Sequence, residues 1–205
     1  MTTIDSRPVG IEPASYALTG VEQVVGMLSS DVVQVLVSYM ALQGHNGRLT
    51  FEALQVPNSH VLYGDPLFDS LIVSLISDIS DVVGCPVVPT YSYVRVYMRG
   101  QTLTPHRDRP ACEHSVTIHL DASSSTDWDV QFDDRRGDHV SLALAPGDAA
   151  VYRGHDLRHW RRPCPVDWYM QAFLHFVDAE GPFASEALDG RKSLGTAAVR
   201  RNASR

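Results

Sequence analysis

The hydrophobic pattern of this chain changes its period at Gly84, and that change limits the folds available to it. Before Gly84, apolar residues recur every three or four positions, as on one face of an amphipathic helix. After it, short segments such as YSYVRVYMR (residues 91–99) alternate apolar and polar residues, as strands do. This order predicts a mainly β protein of the α+β class, with N-terminal helices packed on one face of a jelly-roll or barrel-like sheet.

Start and stop signals place two helices in the first part of the chain. Ser30 precedes an apolar-periodic segment that Gly44 can end. Asp65 can cap a second helix, Pro66 suits its first position, and Gly84 can end it. The apolar stripe of the second helix indicates core packing rather than chemistry.

The 205 residues are expected to form one domain with three regions. Residues 1–85 are predicted to be an N-terminal helical region that supports the barrel, and residues 86–178 to be the β-stranded core. Residues 179–205 are predicted to be a flexible tail. The end of that tail, from residue 191 onward, is basic and holds no acidic residue, which is typical of a solvated chain end.

The composition limits which binding partners and which cellular compartment are expected. The formal net charge is −7, which disfavours binding to a phosphate backbone, so nucleic acid is not expected as the main partner. No apolar run approaches the length of a membrane span, and no N-terminal stretch has the order of a signal peptide. The three cysteines form no Cys-x-x-Cys pair, which indicates reduced thiols in a cytoplasmic protein rather than disulfides or a structural zinc site.

Two predicted strands, residues 91–99 and 168–177, alternate an apolar face with a more polar face. The residues on the polar faces are Tyr93, Arg95, Tyr97, Gln171, Phe173 and His175. If the sheet closes into a barrel, these faces line its interior, where an unpaired Arg is costly, and a site inside the barrel is predicted. The alternative is a polar face in contact with solvent, as in many antiparallel sheets.

The segment TPHRDRPACEHSVTIHLD (residues 104–121) offers two metal ligands. His106 and Asp108 are two positions apart, so on an extended chain their side chains lie on the same side and can bind one ion. A third ligand has to come from elsewhere, and YRGHDLRHWRRP (residues 152–163) supplies two candidates, His155 and His159. Two imidazoles and one carboxylate on one face of an octahedron leave three positions open, which suits Fe(II) in oxygen chemistry.

Both segments lie within longer stretches that resemble the Fe(II)/2-oxoglutarate-dependent oxygenases: PTYSYVRVYMRGQTLTPHRDRPACEHSVTIHLD and LAPGDAAVYRGHDLRHWRRPCPVDWYMQAFLHFVD. The chain is similar to small bacterial, prolyl-hydroxylase-like members that also contain Tyr-Arg-Gly-x4-His-Trp-Arg, and the resemblance spans residues 86–178. It implies a double-stranded β-helix (jelly-roll, cupin-like) core and an enzyme that uses Fe(II), 2-oxoglutarate and O2. The implied reaction is hydroxylation of an unactivated C–H bond of a small-molecule or amino-acid-like substrate, with release of succinate and CO2.

The resemblance also assigns the ligands. His106 and Asp108 match the His-x-Asp pair of the oxygenases, and His159 matches their distal histidine because a Trp-Arg pair follows it directly. His159 is therefore preferred to His155 as the third ligand. Because halogenating relatives carry a small residue in place of the aspartate, Asp108 favours hydroxylation, and desaturation or cyclisation stays open.

For the cosubstrate, Tyr97 matches a tyrosine that contacts 2-oxoglutarate in prolyl-hydroxylase-like members. Many relatives also carry an Arg or Lys some way after the distal histidine, which pairs with the far carboxylate of 2-oxoglutarate, but residues 168–171 (WYMQ) hold no cation. A guanidinium that gives two parallel hydrogen bonds is the best single partner for a buried carboxylate. Arg161, two residues after His159, is the first candidate, and Arg95, two before Tyr97, is the second.

Two alternatives from other classes use the same three ligands. One is a cupin-like metal-dependent enzyme without redox chemistry, and the other is a barrel that binds a metal or ligand without catalysis. The sequence leaves the substrate and the oligomeric state open, because selectivity depends on loops whose chemistry cannot be read from local pattern.

Overall fold

The computed structural model describes residues 14–196, so residues 1–13 and the basic end at 197–205 lie outside the described part. The helices are α1 Ala14–Thr19, α2 Ser30–His45, α3 Pro66–Ser74 and α4 Ile76–Val83. The strands are β1 Val21–Val24, β2 Thr50–Phe51, β3 His60–Tyr63, β4 Val87–Met98, β5 Leu103–His106, β6 His114–Ala122, β7 Val130–Asp133, β8 His139–Leu142, β9 Ala149–Tyr152, β10 Arg158–Arg161 and β11 Trp168–Asp178. Two 3-10 segments, Pro110–Cys112 and Ala184–Gly190, complete the described elements. Within residues 14–196, no helix combines the length and the apolar character needed to cross a bilayer.

The strands form two antiparallel sheets that enclose a common interior. The larger sheet has seven strands in the order β1-β9-β6-β11-β4-β3-β2, and the smaller has four in the order β5-β10-β7-β8. Tyr93 and Phe173 of the larger sheet line one cavity together with His106 and His159 of the smaller sheet. This arrangement is the predicted double-stranded β-helix, and the prediction of fold class is confirmed.

The helices pack on the outer face of the larger sheet. Val94, Val116 and Leu174, on its three central strands, belong to one buried cluster with Phe68 and Ile79 of the helices. The alternation read from the sequence therefore separates a helix-facing apolar side from an inward side. Arg95 and Tyr97, on the inward side of β4, are only 3% and 0% exposed, which excludes the alternative of a solvated face.

The first helix differs from its predicted bounds, because Ser29 rather than Ser30 caps α2 and the helix continues through Gly44 to His45. The end signals of the second predicted helix are confirmed, with one difference inside it. Asp65 caps α3, its side chain accepting a hydrogen bond from the Leu67 amide at 2.9 Å, and Gly84 ends α4 in the left-handed conformation. The single helix predicted between them is broken at Leu75. Leu75 is itself buried, and no Gly or Pro stands at the break.

Two of the expected regional boundaries need correction. The N-terminal region is not only helical, because β1, β2 and β3 extend the larger sheet at its two ends. Residues 179–196 are not a flexible tail but lie against the barrel, and Arg191 is 5% exposed. Its guanidinium pairs with the buried Asp69 at 2.6 Å. The two residues are far apart in the sequence, so no local pattern predicts this contact.

Candidate metal centre

The three ligands predicted from the sequence lie together at one end of the barrel interior. His106 ends β5, His159 lies on the neighbouring strand β10, and Asp108 follows β5 by two residues. Each residue offers one ligand atom, and these atoms all lie within 4.8 Å of one another. The Nε2 atom of His106 is 3.4 Å from Oδ1 of Asp108, and Nε2 of His159 is 3.6 Å from Oδ2.

Backbone carbonyls orient both imidazoles. Nδ1 of His106 is 2.8 Å from the Thr104 carbonyl oxygen, and Nδ1 of His159 is 3.0 Å from that of Leu157. Because a carbonyl oxygen only accepts, Nδ1 carries the proton in each ring, and Nε2 of a neutral ring presents a lone pair. In metal-binding histidines, the ring nitrogen that does not bind the metal commonly donates a hydrogen bond, which fixes the tautomer.

The electrostatics favour an ionised carboxylate beside a neutral buried imidazole. Burial opposes ionisation of Asp108, but the hydrogen bond with His106 and the attraction of His159 outweigh it, so the pKa of Asp108 is lowered. Burial also lowers the pKa of His159, because the charged imidazolium is poorly solvated there. Burial works in the same direction on His106, but its hydrogen bond with Asp108 prevails and raises its pKa.

This donor set fits a divalent transition metal. Two imidazole lone pairs converge on a carboxylate, and a cation between them satisfies all three groups at once. Two nitrogens and one oxygen on one side of the ion leave other positions for a cosubstrate and O2.

His155 is placed apart from the three ligands. Its Nδ1 atom is 3.2 Å from the backbone oxygen of Asp108, and its ring packs edge-on against Phe183 at 4.9 Å between centroids. Its role is therefore a contact with the loop that carries Asp108.

The surroundings of Asp108 contain residues that the sequence reasoning missed. Cys112 and His175 form with Asp108 a second group whose possible ligand atoms lie within 4.8 Å of one another. Nδ1 of His175 is 2.9 Å from Oγ of Ser115, which lies 3.4 Å from Oδ2 of Asp108. His175 supports the Asp108 carboxylate through Ser115. The sequence signal that could have indicated this role was the position of His175 on the predicted inner face of its strand.

Gly154 brings backbone against the same carboxylate. A Cβ atom placed on Gly154 would lie 2.5 Å from Oδ2 of Asp108 and 2.5 Å from Oγ of Ser115. The glycine of the Tyr-Arg-Gly motif is therefore required because its backbone lies too close to the Asp108 carboxylate to leave room for a side chain. The Gly154 carbonyl oxygen also accepts a 2.8 Å hydrogen bond from the Asp108 amide.

Glu52 and Gln55 come from the loop between β2 and β3 and were not predicted either, because a loop carries no periodic signal. The Gln55 amide nitrogen is 2.7 Å from Nε2 of His106, and its oxygen accepts from Arg95 at 2.9 Å. Glu52 pairs with the same Arg95 at 3.1 Å. This loop therefore covers the metal ligands on one side.

The centre opens into a cavity of about 320 Å³. Five tyrosine and phenylalanine side chains line it, together with the metal ligands and Arg95: Tyr63, Tyr91, Tyr93, Tyr152 and Phe173. Tyr97 and Arg161 lie outside this lining. Tyr97 is fully buried next to Arg95, whose Nη1 donates to the Tyr97 hydroxyl at 3.3 Å.

Arg161 is a buried cation without a carboxylate. It is 1% exposed, its Nη1 donates to the Trp128 carbonyl at 2.5 Å, and its guanidinium lies 4.7 Å from the Trp128 ring centroid. Its Nη2 has no hydrogen-bond partner, and no carboxylate in the described part of the chain pairs with it. Trp128 in turn packs on Tyr97 at 5.0 Å, so the two predicted cosubstrate residues share one aromatic cluster.

Comparison with solved structures shows the same fold. The chain is similar to a prolyl-4-hydroxylase of Pseudomonas putida, at 15% identity over 81% of this chain and 96% of that one, with a TM-score of 0.67. It is similar to the epimerase SnoN in complex with Fe3+, α-ketoglutarate and nogalamycin RO (13% identity, 92% and 91% coverage, TM-score 0.71). HygX of Streptomyces hygroscopicus, with nickel, 2-oxoglutarate and hygromycin B bound, also matches (15% identity, 82% and 86% coverage, TM-score 0.62). No protein-family model and no curated protein matches the sequence. The chain thus shares the jelly-roll fold of these solved structures.

Proposed function

We propose that this protein is an Fe(II)- and 2-oxoglutarate-dependent oxygenase that hydroxylates an unactivated C–H bond of a small molecule or an amino-acid-like substrate. Succinate and CO2 are the other products. The observation that carries the proposal is the group of His106, Asp108 and His159, oriented in advance inside a jelly roll of the oxygenase kind. Epimerisation and ring closure use the same kind of fold in other proteins. Asp108 argues against halogenation only, so the choice of hydroxylation over these reactions is part of the proposal.

In this proposal the three residues hold Fe(II), and bound iron supplies the reaction of O2 with 2-oxoglutarate and then with substrate. The chain contributes the orientation of the ligands. Ser115 and Gly154 restrict the Asp108 carboxylate, and the carbonyls of Thr104 and Leu157 fix the imidazoles.

Arg161 is proposed to pair with the far carboxylate of 2-oxoglutarate, with Tyr97 beside it. A buried guanidinium with an unpartnered nitrogen and no carboxylate is costly unless an anion completes it. Arg95 is the second candidate. It lines the cavity, as an anchor should, but Glu52 already compensates its charge.

The cavity suits a small molecule, or one group of a larger molecule, held against tyrosine rings and Phe173. Nucleic acid is not proposed as a partner, since the formal net charge is −7. The cysteines Cys85, Cys112 and Cys164 are unpaired, which supports a cytoplasmic location.

The proposal is tested by anaerobic addition of Fe(II) and 2-oxoglutarate to the purified protein. A weak visible charge-transfer band is expected, and then succinate release when O2 and a panel of small-molecule substrates are added. Asp108→Ala is the control and should give neither. A flat spectrum from folded, iron-loaded protein would favour a non-redox cupin-like enzyme or a non-catalytic barrel.

A further inference from the structure

The chain beyond β11 folds back over the loop that carries Asp108. Residues 183–191, here named the C-terminal segment, include the second 3-10 element and lie against β4, β11 and the Pro110–Cys112 turn. Its far end is fixed by Arg191, whose Nη1 pairs with Asp69 at 2.6 Å and whose Nη2 donates to the Thr90 carbonyl at 3.0 Å. The segment is therefore held at a buried anchor on the barrel wall.

Asp189 makes the direct contact with the ligand loop. Its two carboxylate oxygens accept from Nη1 and Nη2 of Arg109 at 2.6 and 2.8 Å, a bidentate pair. Arg109 directly follows the ligand Asp108, and its guanidinium lies 4.6 Å from the ring centroid of Tyr91. The Tyr63 hydroxyl also donates to Asp189. Arg109 is thus held between an aromatic face and a carboxylate supplied from the other end of the chain.

A second contact reaches the same loop from the same segment. Phe183 packs edge-on against the ring of His155, and Nδ1 of His155 lies 3.2 Å from the Asp108 backbone oxygen. Both residues on which the C-terminal segment acts, Arg109 and His155, therefore touch or adjoin Asp108.

The backbone of the segment is strained where Asp189 sits. Leu188 and Asp189 have φ of 60° and 52°, and among the described residues only Asn58 shares a positive φ outside glycine. Such conformations persist where the surrounding contacts over-determine them, and they concentrate at functional sites. In this conformation the Asp189 carboxylate faces Arg109.

We infer that Asp189 is a positioning residue for the metal centre: through Arg109 it fixes the loop that carries Asp108. The inference rests on the proposed function, since it takes His106, Asp108 and His159 as the metal ligands. The ligand loop lies between β5 and the Pro110–Cys112 turn and has little regular sheet pairing of its own. Besides the contacts with Gly154 and Ser115, its geometry before metal binding therefore depends on these side-chain contacts. Outer partners that orient metal ligands typically contribute 10- to 100-fold to metal affinity.

The test is calorimetric titration of the metal-free full-length protein with Ni2+, a probe that does not turn over. Asp189→Asn, which keeps a residue type that tolerates positive φ, is expected to weaken Ni2+ binding about 10- to 100-fold while unfolding stays cooperative. Asp167→Asn is the matched control, because it removes an exposed Arg99–Asp167 pair far from the site, and it should leave the affinity unchanged. Arg109→Gln should cause the same loss as Asp189→Asn, and the double variant should lose no more, since the two act as one contact.

The outcomes separate the two hypotheses. If His106→Ala binds Ni2+ as the wild type does, the metal centre itself is wrong. If His106→Ala abolishes binding but Asp189→Asn stays within twofold of the wild type, the metal centre stands and the role of Asp189 is refuted. Additive losses in the double variant would likewise overturn the inference, and if Asp189→Asn does not fold, Arg109→Gln alone decides by the same twofold criterion.

Discussion

His106 and His159 are direct partners across β5 and β10, with ring centroids 4.3 Å apart. Strand pairing therefore brings together two ligands that are distant in sequence. Because successive side chains alternate between faces, a slip of one residue in this register would turn one imidazole away from the interior. The relative position of the two histidine ligands consequently depends on the register in which these two strands pair.

The first prediction concerns the ligands. His106→Ala, Asp108→Ala and His159→Ala should each abolish turnover and reduce Fe(II) binding to a residual level, because two remaining ligands leave the ion mostly solvated. His155→Ala should still bind Fe(II), with at most the modest weakening that loss of a loop contact causes. Anaerobic Fe(II) titration measures the binding, and succinate release in the presence of O2 measures the turnover. Loss of binding in His155→Ala with normal binding in His159→Ala would show that the third ligand is misassigned.

The second prediction compares the two arginines. Losing a buried bidentate ion pair costs about 3–5 kcal/mol, or two to three orders of magnitude in affinity. Arg161→Ala should therefore raise the KM for 2-oxoglutarate by that factor and leave Fe(II) affinity near normal, while Arg95→Ala should do less. Initial rates at varied 2-oxoglutarate provide the measurement. A large KM effect confined to Arg95→Ala would place the anchor on β4 instead.

The third prediction concerns acid stability. Burial lowers the pKa of His114 to about 4, so between pH 6.5 and 4 the unfolded chain binds a proton that the folded one does not. Stability is therefore lost as pH falls through this window, by about 3 kcal/mol from His114 alone. Its Nδ1 contacts the Tyr16 hydroxyl at 2.7 Å, and its buried Nε2 has no hydrogen-bond partner, so the protonated ring gains no hydrogen bond at Nε2.

Urea unfolding from pH 7 to 4 tests this contribution. His114→Gln can still accept from Tyr16, and its free energy of unfolding should fall less steeply with acid than that of the wild type. His45→Gln, at the exposed end of α2, is the control and should follow the wild type. Equal slopes for all three proteins would contradict the assignment to His114.

The fourth prediction concerns the buried pair of Asp69 and Arg191, which are 1% and 5% exposed. Arg191→Met should lower the free energy of unfolding by about 3–5 kcal/mol, because it leaves a buried carboxylate without its cation. Arg99→Met removes the exposed pair with Asp167 and should cost at most about 1 kcal/mol. Similar small losses for both, measured by urea unfolding, would mean that the chain end contributes little to the core.

Local pattern predicted much of this molecule because the features concerned are local. The cap at Asp65, the stop at Gly84 and the two faces of β4 follow from spacing and turn chemistry alone. His106 and Asp108 were found for the same reason, as neighbours on one side of an extended segment.

The features that were missed depend on contacts between distant parts of the chain. Arg191 was assigned to a solvated end because residues 191–205 are basic and hold no acidic residue, yet its partner Asp69 lies 122 residues earlier. Gln55 reaches His106 from an irregular loop, where no period marks which side chain points inward. Such contacts depend on tertiary packing, so the spacing of residues in the sequence does not predict them.

Gly154 has a consequence for how related barrels are judged. One methyl group at this position would stand 2.5 Å from the Asp108 carboxylate and would displace it or the backbone. A chain could thus keep both histidines and the aspartate and still be unable to hold iron. The presence of the three ligands is therefore not a sufficient criterion for a working metal centre. The criterion also has to include a glycine at the position of Gly154, which leaves room for the carboxylate.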